Sequence, residues 1–430
     1  MHETPERRTR SAADPIIFGW RVVAAAFVIA VFAWGIGFYG PPIFLGVLQV
    51  SRGWPLALIS AAISVHFLCG AAVVAALDAL HRRYGVAATT GAGALVAAIG
   101  LLGWGYAREP WQLFVAVLFS GSGWAMTSGA ALNAMVAPWF DRRRPAALGM
   151  AFNGASLGGV IFSPLWVALI AALGFGAAVV AVALVMALTV LGLAARYLRH
   201  TPAQLGLAPD GDIRAAPDGS GARVAAHQPA LHAPRRDRRL LTLAIGATLA
   251  LFAQVGLVAH LFSMLAPVMG NGPAGAVMGL ATGCAIAGRM VLARLLTPGL
   301  DRRKAAAWNL AVQALGSGVL LASGPSAMGM VLGCCLFGIA LGNVTSLPPL
   351  IAQADFRPAD VARVVAWVTA TGQAGYAFAP AAFGLLREWA EAAGHAGLFF
   401  AVAGAMQLLA AGVLLAGRSR SWRGKLRGRR

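Results

Sequence analysis

The sequence predicts an all-α membrane protein of twelve transmembrane helices, arranged as two pseudo-symmetric six-helix bundles. Three observations carry this. Of 430 residues, 59% are hydrophobic and 11% are charged, where a soluble domain carries about 25% charged residues. Apolar runs of the roughly 20 residues that a membrane helix needs recur between charged or Pro/Gly breaks. The longest polar stretch, Leu198 to Arg239, divides those runs six and six.

The runs cover 20–48, 55–78, 86–106, 111–138, 146–171 and 175–197, then 240–268, 274–296, 305–323, 327–352, 361–386 and 396–416. The predicted organisation is an N-terminal half (1–197, with a cytoplasmic N-terminal tail), a linker (198–239), a C-terminal half (240–416) and a basic tail (417–430). The linker holds Pro202, Pro209, Pro217, Pro229 and Pro234 among many Gly, Ala and Arg. That composition predicts a mostly disordered chain. The halves echo each other: Phe140 and Phe356 each close a fourth span, and Pro164 and Pro380 each fall within a fifth, at the same interval. The first apolar run is too long for a signal-peptide core, so no cleavable leader is expected.

A net charge of +19 is compatible with nucleic-acid binding until position is considered. With both termini inside, the cytoplasmic segments collect Arg7, Arg8 and Arg10, Arg82 and Arg83, Arg142 to Arg144, the linker arginines, Arg302 to Lys304, Arg357 and the tail RSRSWRGKLRGRR. The opposite loops hold Arg52, Arg108 and Arg387. This is the positive-inside pattern. It predicts a multi-pass protein of the cell inner membrane with both termini cytoplasmic. The expected partners are the lipid bilayer, with anionic lipid at the tail, and a small molecule, not nucleic acid.

Chemical motifs are few. GIGFYG (Gly35 to Gly40) matches a dinucleotide fingerprint, but no strand precedes it and Pro41-Pro42 follow. It predicts a first helix broken by Gly and Pro. Cys69, Cys284, Cys334 and Cys335 lack metal-ligand spacing and read as small hydrophobes. The sequon Asn343-Val344-Thr345 lies inside an apolar run. Neither a metal cluster nor a nucleophile elbow nor a phosphate loop is apparent, so neither an enzyme nor a cofactor or metal is expected.

The most specific stretch is WFDRRRPAALGMAFNGASLGG, Trp139 to Gly159. A short basic turn leads into a helix with Gly149, Gly154 and Gly158 at spacings that let helix backbones approach closely. Phe140, Arg142, Arg143, Arg144, Ala147, Gly149, Ala151, Gly154 and Gly158 together resemble the major facilitator superfamily, in its monocarboxylate and oxalate–formate exchanger branch. The resemblance implies a transporter with twelve spans and a central linker. It also implies loops that latch conformations, with Asp78, Arg82, Arg83 and Arg142 to Arg144 at the cytoplasmic gate. The loop after the second span departs from the family's Asp-Arg-x-Gly-Arg pattern: Arg82 occupies the aspartate position, with Asp78 four residues earlier. In the second-half counterpart, Pro298 takes that position and Asp301 comes late.

No acidic residue falls in the middle of a predicted span; Asp78 sits at a helix end. Arg289, in GCAIAGRMVLARLL, therefore lacks an acid at its own depth. A planar guanidinium suits two-point contact with a carboxylate. The resemblance implies that Arg289, in its Gly288-Arg289 pair, engages a substrate carboxylate. Packing against backbone carbonyls or snorkelling is the alternative, and it is the expected state of Arg294. His66 and His260 are the mid-span groups that titrate near neutrality, for a substrate or proton role. Tyr39, Trp124, Asn133, Asn153, Gln254, Asn343, Gln373 and Tyr376 complete the candidate cavity residues; each is equally able to join helices. The eleventh span lacks the lysine of dicarboxylate exchangers and offers Arg363 and Gln373. One deep arginine suits a small organic anion with one carboxylate, moved by alternating access with proton coupling or by exchange. Efflux of a drug or metabolite, and a non-transporting receptor, remain the alternatives.

Overall fold

The computed structural model describes residues 15–205, 207–211, 237–296 and 300–418. Sixteen α-helices follow in order: α1 Pro15–Gly37, α2 Gly40–Arg52, α3 Leu56–Tyr84, α4 Val86–Tyr106, α5 Pro110–Thr127, α6 Gly129–Val136, α7 Arg144–Leu173 and α8 Phe175–Tyr197, then α9 Arg238–Met269, α10 Asn271–Leu295, α11 Arg302–Ser323, α12 Ala327–Leu341, α13 Asn343–Asp355, α14 Pro358–Tyr376, α15 Ala379–Ala392 and α16 Leu398–Ala416. The pairs α1–α2, α5–α6, α12–α13 and α14–α15 are broken single passes, which gives twelve passes. Eleven are long and apolar enough to cross a membrane. The pass α14–α15 is not among them; it carries Asp360, Arg363, Arg387, Glu388 and Glu391.

Packing repeats between the halves. In the first, α4 packs on α5 and α8, α3 on α5, and α1 on α7; the equivalent pairs α11 on α12 and α16, α10 on α12, and α9 on α14 pack in the second. Phe140 and Phe356, the echo in sequence, both leave their helices in extended conformation.

Helices are held by close approach and by polar pairs, since hydrocarbon gives little drive for apolar helices to associate. The first pass breaks at Phe38–Tyr39, where both amides reach back to the Trp34 carbonyl. A Cβ on Gly37 would stand 2.3 Å from the Trp124 ring, and one on Gly35 2.2 Å from Phe162. On α7, a Cβ at Gly154 would lie 2.2 Å from the Phe27 carbonyl oxygen and one at Gly158 2.6 Å from that of Val31. Gly149 differs: it is exposed and a Cβ there meets nothing within 4 Å. The glycine series thus seats α7 on α1 with two of its three members.

The second half relies on buried amides. Gln313 donates to Gln254 (2.9 Å), Ser317 to Gln407 (2.9 Å) and Asn343 to Asn309 (2.9 Å). At its basic end, Arg303 is 2% exposed. Its Nε donates to Asp355 (2.6 Å), Nη1 to Thr242 and the Leu414 carbonyl, and Nη2 to the Arg239 carbonyl. Asp301 caps α11 through the amides of Arg303 and Lys304 and accepts from Arg418. The sequence placed Arg303 in a loop; its guanidinium instead joins four helices, because fanned donors satisfy several helix-end acceptors at once.

The linker begins folded. Two short 3-10 turns, Ala203–Leu205 and Pro209–Gly211, lie beneath the first half, the second touching α1. The expectation of disorder over 198–239 does not describe this first part. Residues 1–14, 206, 212–236, 297–299 and 419–430, with the tail arginines after Arg418, most linker arginines and Pro298, lie outside the described residues.

Substituting Gly154→Ala should lower stability by about 1–3 kcal/mol through overpacking against α1. Gly149→Ala should be neutral or stabilising by up to about 1 kcal/mol. Thermal unfolding of both proteins in detergent checks the contrast.

Candidate substrate-binding site and gates

Arg289 lies on α10, six residues or about 9 Å before the helix ends. Its Nη1 donates to Asn153 Oδ1 (3.1 Å), and Nη2 to Ser156 Oγ (3.3 Å) and the Gly342 carbonyl (3.5 Å). Asn153 and Ser156 belong to α7 of the first half; Gly342 joins α12 to α13 in the second. The guanidinium therefore spans the seam between the halves. All its partners are neutral, its Nε is buried without one, and no ion pair reaches it among the described residues. Tyr39 is the neighbouring ring within electrostatic reach. A Cβ on Gly159 would lie 2.7 Å from that ring and 2.6 Å from Thr282, so this glycine lets Tyr39 and Thr282 close together. A Cβ on Gly342 would lie 2.8 Å from Arg289 Nη2. Arg294 is exposed in the last turn of α10, where a cation complements the helix C-terminus.

The other predicted residues divide. Asn153 and Tyr39 gather at Arg289. Asn133 on α6 is exposed, and Gln373 and Tyr376 on α14 are half-buried, with the Tyr376 ring 5.6 Å from Phe67 across the seam. Gln254 and Asn343 are turned into the second half, bonded to Gln313 and Asn309. His260 is fully buried and bonds the Pro380 carbonyl (3.1 Å). His66 is buried inside the first half, bonded to Ser120 (2.8 Å) and stacked near Trp124. Each of these groups pairs through one polar atom, while His66 Nε2, His260 Nδ1 and Asn343 Oδ1 are buried without a hydrogen-bond partner among the described residues. Ser156, Thr282, Gly159 and Gly342 escaped the sequence reading. Ser156 had a usable signal, since it stands three residues after Asn153 and shares its face.

The two ends of the seam differ. At the end bearing Arg52 and Arg108, Glu388 Oε1 accepts from the Ala57 amide (2.7 Å) in the first turn of α3, and Ser64 Oγ from the Ala381 amide (2.9 Å). A Cβ on Gly384 would lie 2.6 Å from Ser60. Arg387 ties α15 to Ser263 of α9 and to Glu391. The sequence had placed Arg387 and Glu388 in a loop; α15 extends through both. At the basic end, the hydrogen bonds found among the described residues join groups of the same half. Asp78 pairs with Arg82 in an exposed i,i+4 pair, Arg83 lies over Tyr84, and Arg144 donates to the Phe140 carbonyl and approaches Asp141. Asp210, from the linker, accepts from the amides of Arg142 (2.8 Å), Asp141 (3.3 Å) and Arg143 (3.3 Å), with the Arg142 guanidinium at 3.6 Å. The cross-half hydrogen bonds found among the described residues lie at Arg289 or on the Glu388 side of it. Among the described residues, hydrogen bonds thus join the halves at one end and at Arg289.

A polar site around Arg289 lies between two six-helix halves that hydrogen bonds also join at one end. The profile of the Major Facilitator Superfamily matches residues 25–380. The chain belongs to that superfamily. It is a multi-pass membrane transporter and not an enzyme. Curated relatives include monocarboxylate transporter 13 of Bos taurus, 29% identical over 151 residues, 35% of either chain. The Rattus norvegicus protein of that name is 33% identical over 90 residues, 21% of either chain. The aligned region thus spans about a third or less of these relatives. Among solved structures, the D-xylose-proton symporter superposes with a TM-score of 0.71 at 13% identity, covering 93% of this chain and 97% of that one. The nucleoside transporter NupG gives 0.69 at 13%, covering 93% and 98%. A bacterial homolog of the human lysosomal transporter Spinster, inward-facing and unoccupied, gives 0.68 at 14%, covering 94% and 98%. At these identities the structures show the shared fold.

Two outcomes are expected at the gates. Glu388→Ala should raise labelling of a cysteine placed at the buried Ser60 by an impermeant maleimide on the order of tenfold, the loss of a charge-assisted bond, with Glu388→Gln in between. At the other end, burial opposes charge on Asp210, but the amides of Arg142, Arg143 and Asp141 and the Arg142 guanidinium outweigh it and hold its pKa below the ordinary value. A depressed carboxylate contributes fully above the unfolded value of about 3.9 and loses its contribution as pH falls through the folded value. Amides 141–143 should therefore keep their hydrogen-exchange protection from pH 7 to pH 5, and lose it in Asp210→Asn at pH 7.

Proposed function

We propose that the protein moves a small organic anion, with a monocarboxylate preferred, across the cell inner membrane by alternating access, coupled to protons or by exchange. The carrying observation is Arg289, a cation at the seam held by neutral acceptors alone. A mid-membrane charge costs roughly 2.5–3.5 kcal/mol even on the lenient insertion scale. A substrate carboxylate supplies the missing negative charge and takes two parallel N–H donors. Neutral solutes, such as those named for the xylose and nucleoside transporters, would leave the guanidinium uncompensated. The monocarboxylate transporter relatives support the same substrate class. The absence of a second deep cation among the described residues favours one carboxylate over two.

The positive-inside distribution makes the basic end cytoplasmic, with both termini on that side. The end joined by Glu388 and Ser64 is then the outer one. Rocking of the halves, 1–197 and 240–416, about Arg289 would open the end closed by Glu388 and Ser64. The folded start of the linker lies against the first half.

In liposomes, labelled monocarboxylates should enter with Arg289-dependent kinetics, measured with and without a pH gradient and with and without internal anion to separate symport from exchange. Arg289→Gln should cut uptake on the order of a hundredfold, as expected when one partner of a buried charge pair is removed, with unchanged thermal stability as the folding control. Undiminished uptake in a folded Arg289→Gln protein would remove this residue from the site.

A further inference from the structure

The rings beside Arg289 carry the substrate assignment further. Phe152 precedes Asn153 and stands four residues before Ser156, so it shares the α7 face that meets Arg289, one turn or about 6 Å away. Its ring is 6.2 Å from Trp34, edge to face. Trp34 and Phe38 are four residues apart on one face of α1 and its break. Phe38 is 6.0 Å from Phe67, which meets Tyr376 of the opposite half at 5.6 Å. Phe67 is buried, as a core ring should be. Trp34, Phe38, Phe152 and Tyr376 are half-buried. Their ring neighbours are on α3, α5, α7 and, across the seam, α14, which puts them on the side of the first half that carries Arg289's partners.

We infer that the transported anion is an aromatic monocarboxylate, its carboxylate on Arg289 and its ring against Trp34, Phe38 and Phe152. The inference rests on the reading of Arg289 as the carboxylate site. One helical turn between the guanidinium's partners and the Phe152 ring matches an aryl group one or two bonds from its carboxylate. A two- or three-carbon aliphatic acid would satisfy Arg289 and leave the rings unfilled. Aromatic faces favour offset or edge-to-face contact with a flat ligand, and two cavity rings come from the first pass and one from the seventh helix, so the ligand reads both sides of the α1–α7 packing at once.

The test is isothermal titration of the purified full chain with phenylacetate and with propionate at neutral pH, where both are singly charged. Phenylacetate should bind at least about tenfold more tightly. Trp34→Leu and Phe38→Leu should each lower the phenylacetate-to-propionate affinity ratio about three- to tenfold, the size of an aromatic pair contribution. The ratio is insensitive to any fraction of protein lost to misfolding. Arg289-dependent binding in which propionate equals or exceeds phenylacetate would overturn the aromatic assignment and leave the anion reading standing. A ratio unmoved by both ring substitutions would also overturn it. Binding of neither acid would remove both.

Discussion

One constraint organises the molecule: a guanidinium has to be accommodated deep between two halves. The structure does not meet this with an acid. Arg289 spreads its donors over an amide oxygen, a hydroxyl and a backbone carbonyl, drawn from both halves. Each such bond is weaker than an ion pair. The arrangement therefore holds the side chain in place without neutralising it, and that is the condition a carboxylate-binding cation has to satisfy before its ligand arrives.

The packing around the site follows from the same need for close quarters. For α7 to present Asn153 and Ser156 at the seam, its other face has to lie flush on α1, and Gly154 and Gly158 permit this by exposing backbone to the Phe27 and Val31 carbonyls. Gly288 does the same for α10 against the Ile339 carbonyl, 1.9 Å from where its Cβ would stand. The Gly288-Arg289 pair thus combines two jobs in adjacent residues: one lets α10 approach α12, the other projects from the helix thus placed. In the second half the polar pairs Gln254–Gln313 and Ser317–Gln407 add to close glycine contacts on the same helices, Gly256 against Phe383 on α9 and Gly316 against the Phe337 backbone on α11.

Most of the fold was legible because hydrocarbon imposes a simple rule on the chain, that spans are apolar and about twenty residues long. Two spans, 86–106 and 175–197, coincide with α4 and α8. The breaks within passes were partly legible: GIGFYG and its two prolines announced the first, whereas the split between α14 and α15 lacked so plain a signal. Arg289 stood out because a charge in an apolar run is rare. The amides did not sort themselves. Asn153 faces the seam, Gln254 and Asn343 face helix partners, and nothing in single residues distinguishes them, since the difference lies in the rotation of one helix against another. Arg303 and Glu388 were hidden for the opposite reason. Both sit at span ends, where a charge is expected and draws no notice, yet each makes a specific long-range contact.

The location of the cross-half bonds ties occupancy to motion. Arg289 bonds to α7 are themselves among the contacts that hold the halves together. A carboxylate that takes up Nη1 and Nη2 competes for the donors now given to Asn153 and Ser156. On the anion reading, substrate would exchange protein–protein bonds across the seam for protein–ligand bonds, and would remove a tie between α10 and α7. The seal at the far end does not involve Arg289: Glu388 holds the first turn of α3, and Ser64 the start of α15. A ligand can shift the equilibrium between the two faces only by its differential affinity for them. On that reading a bound carboxylate loosens the tie at Arg289 while the bonds of Glu388 and Ser64 remain, so the site and the far end are held by separate sets of contacts.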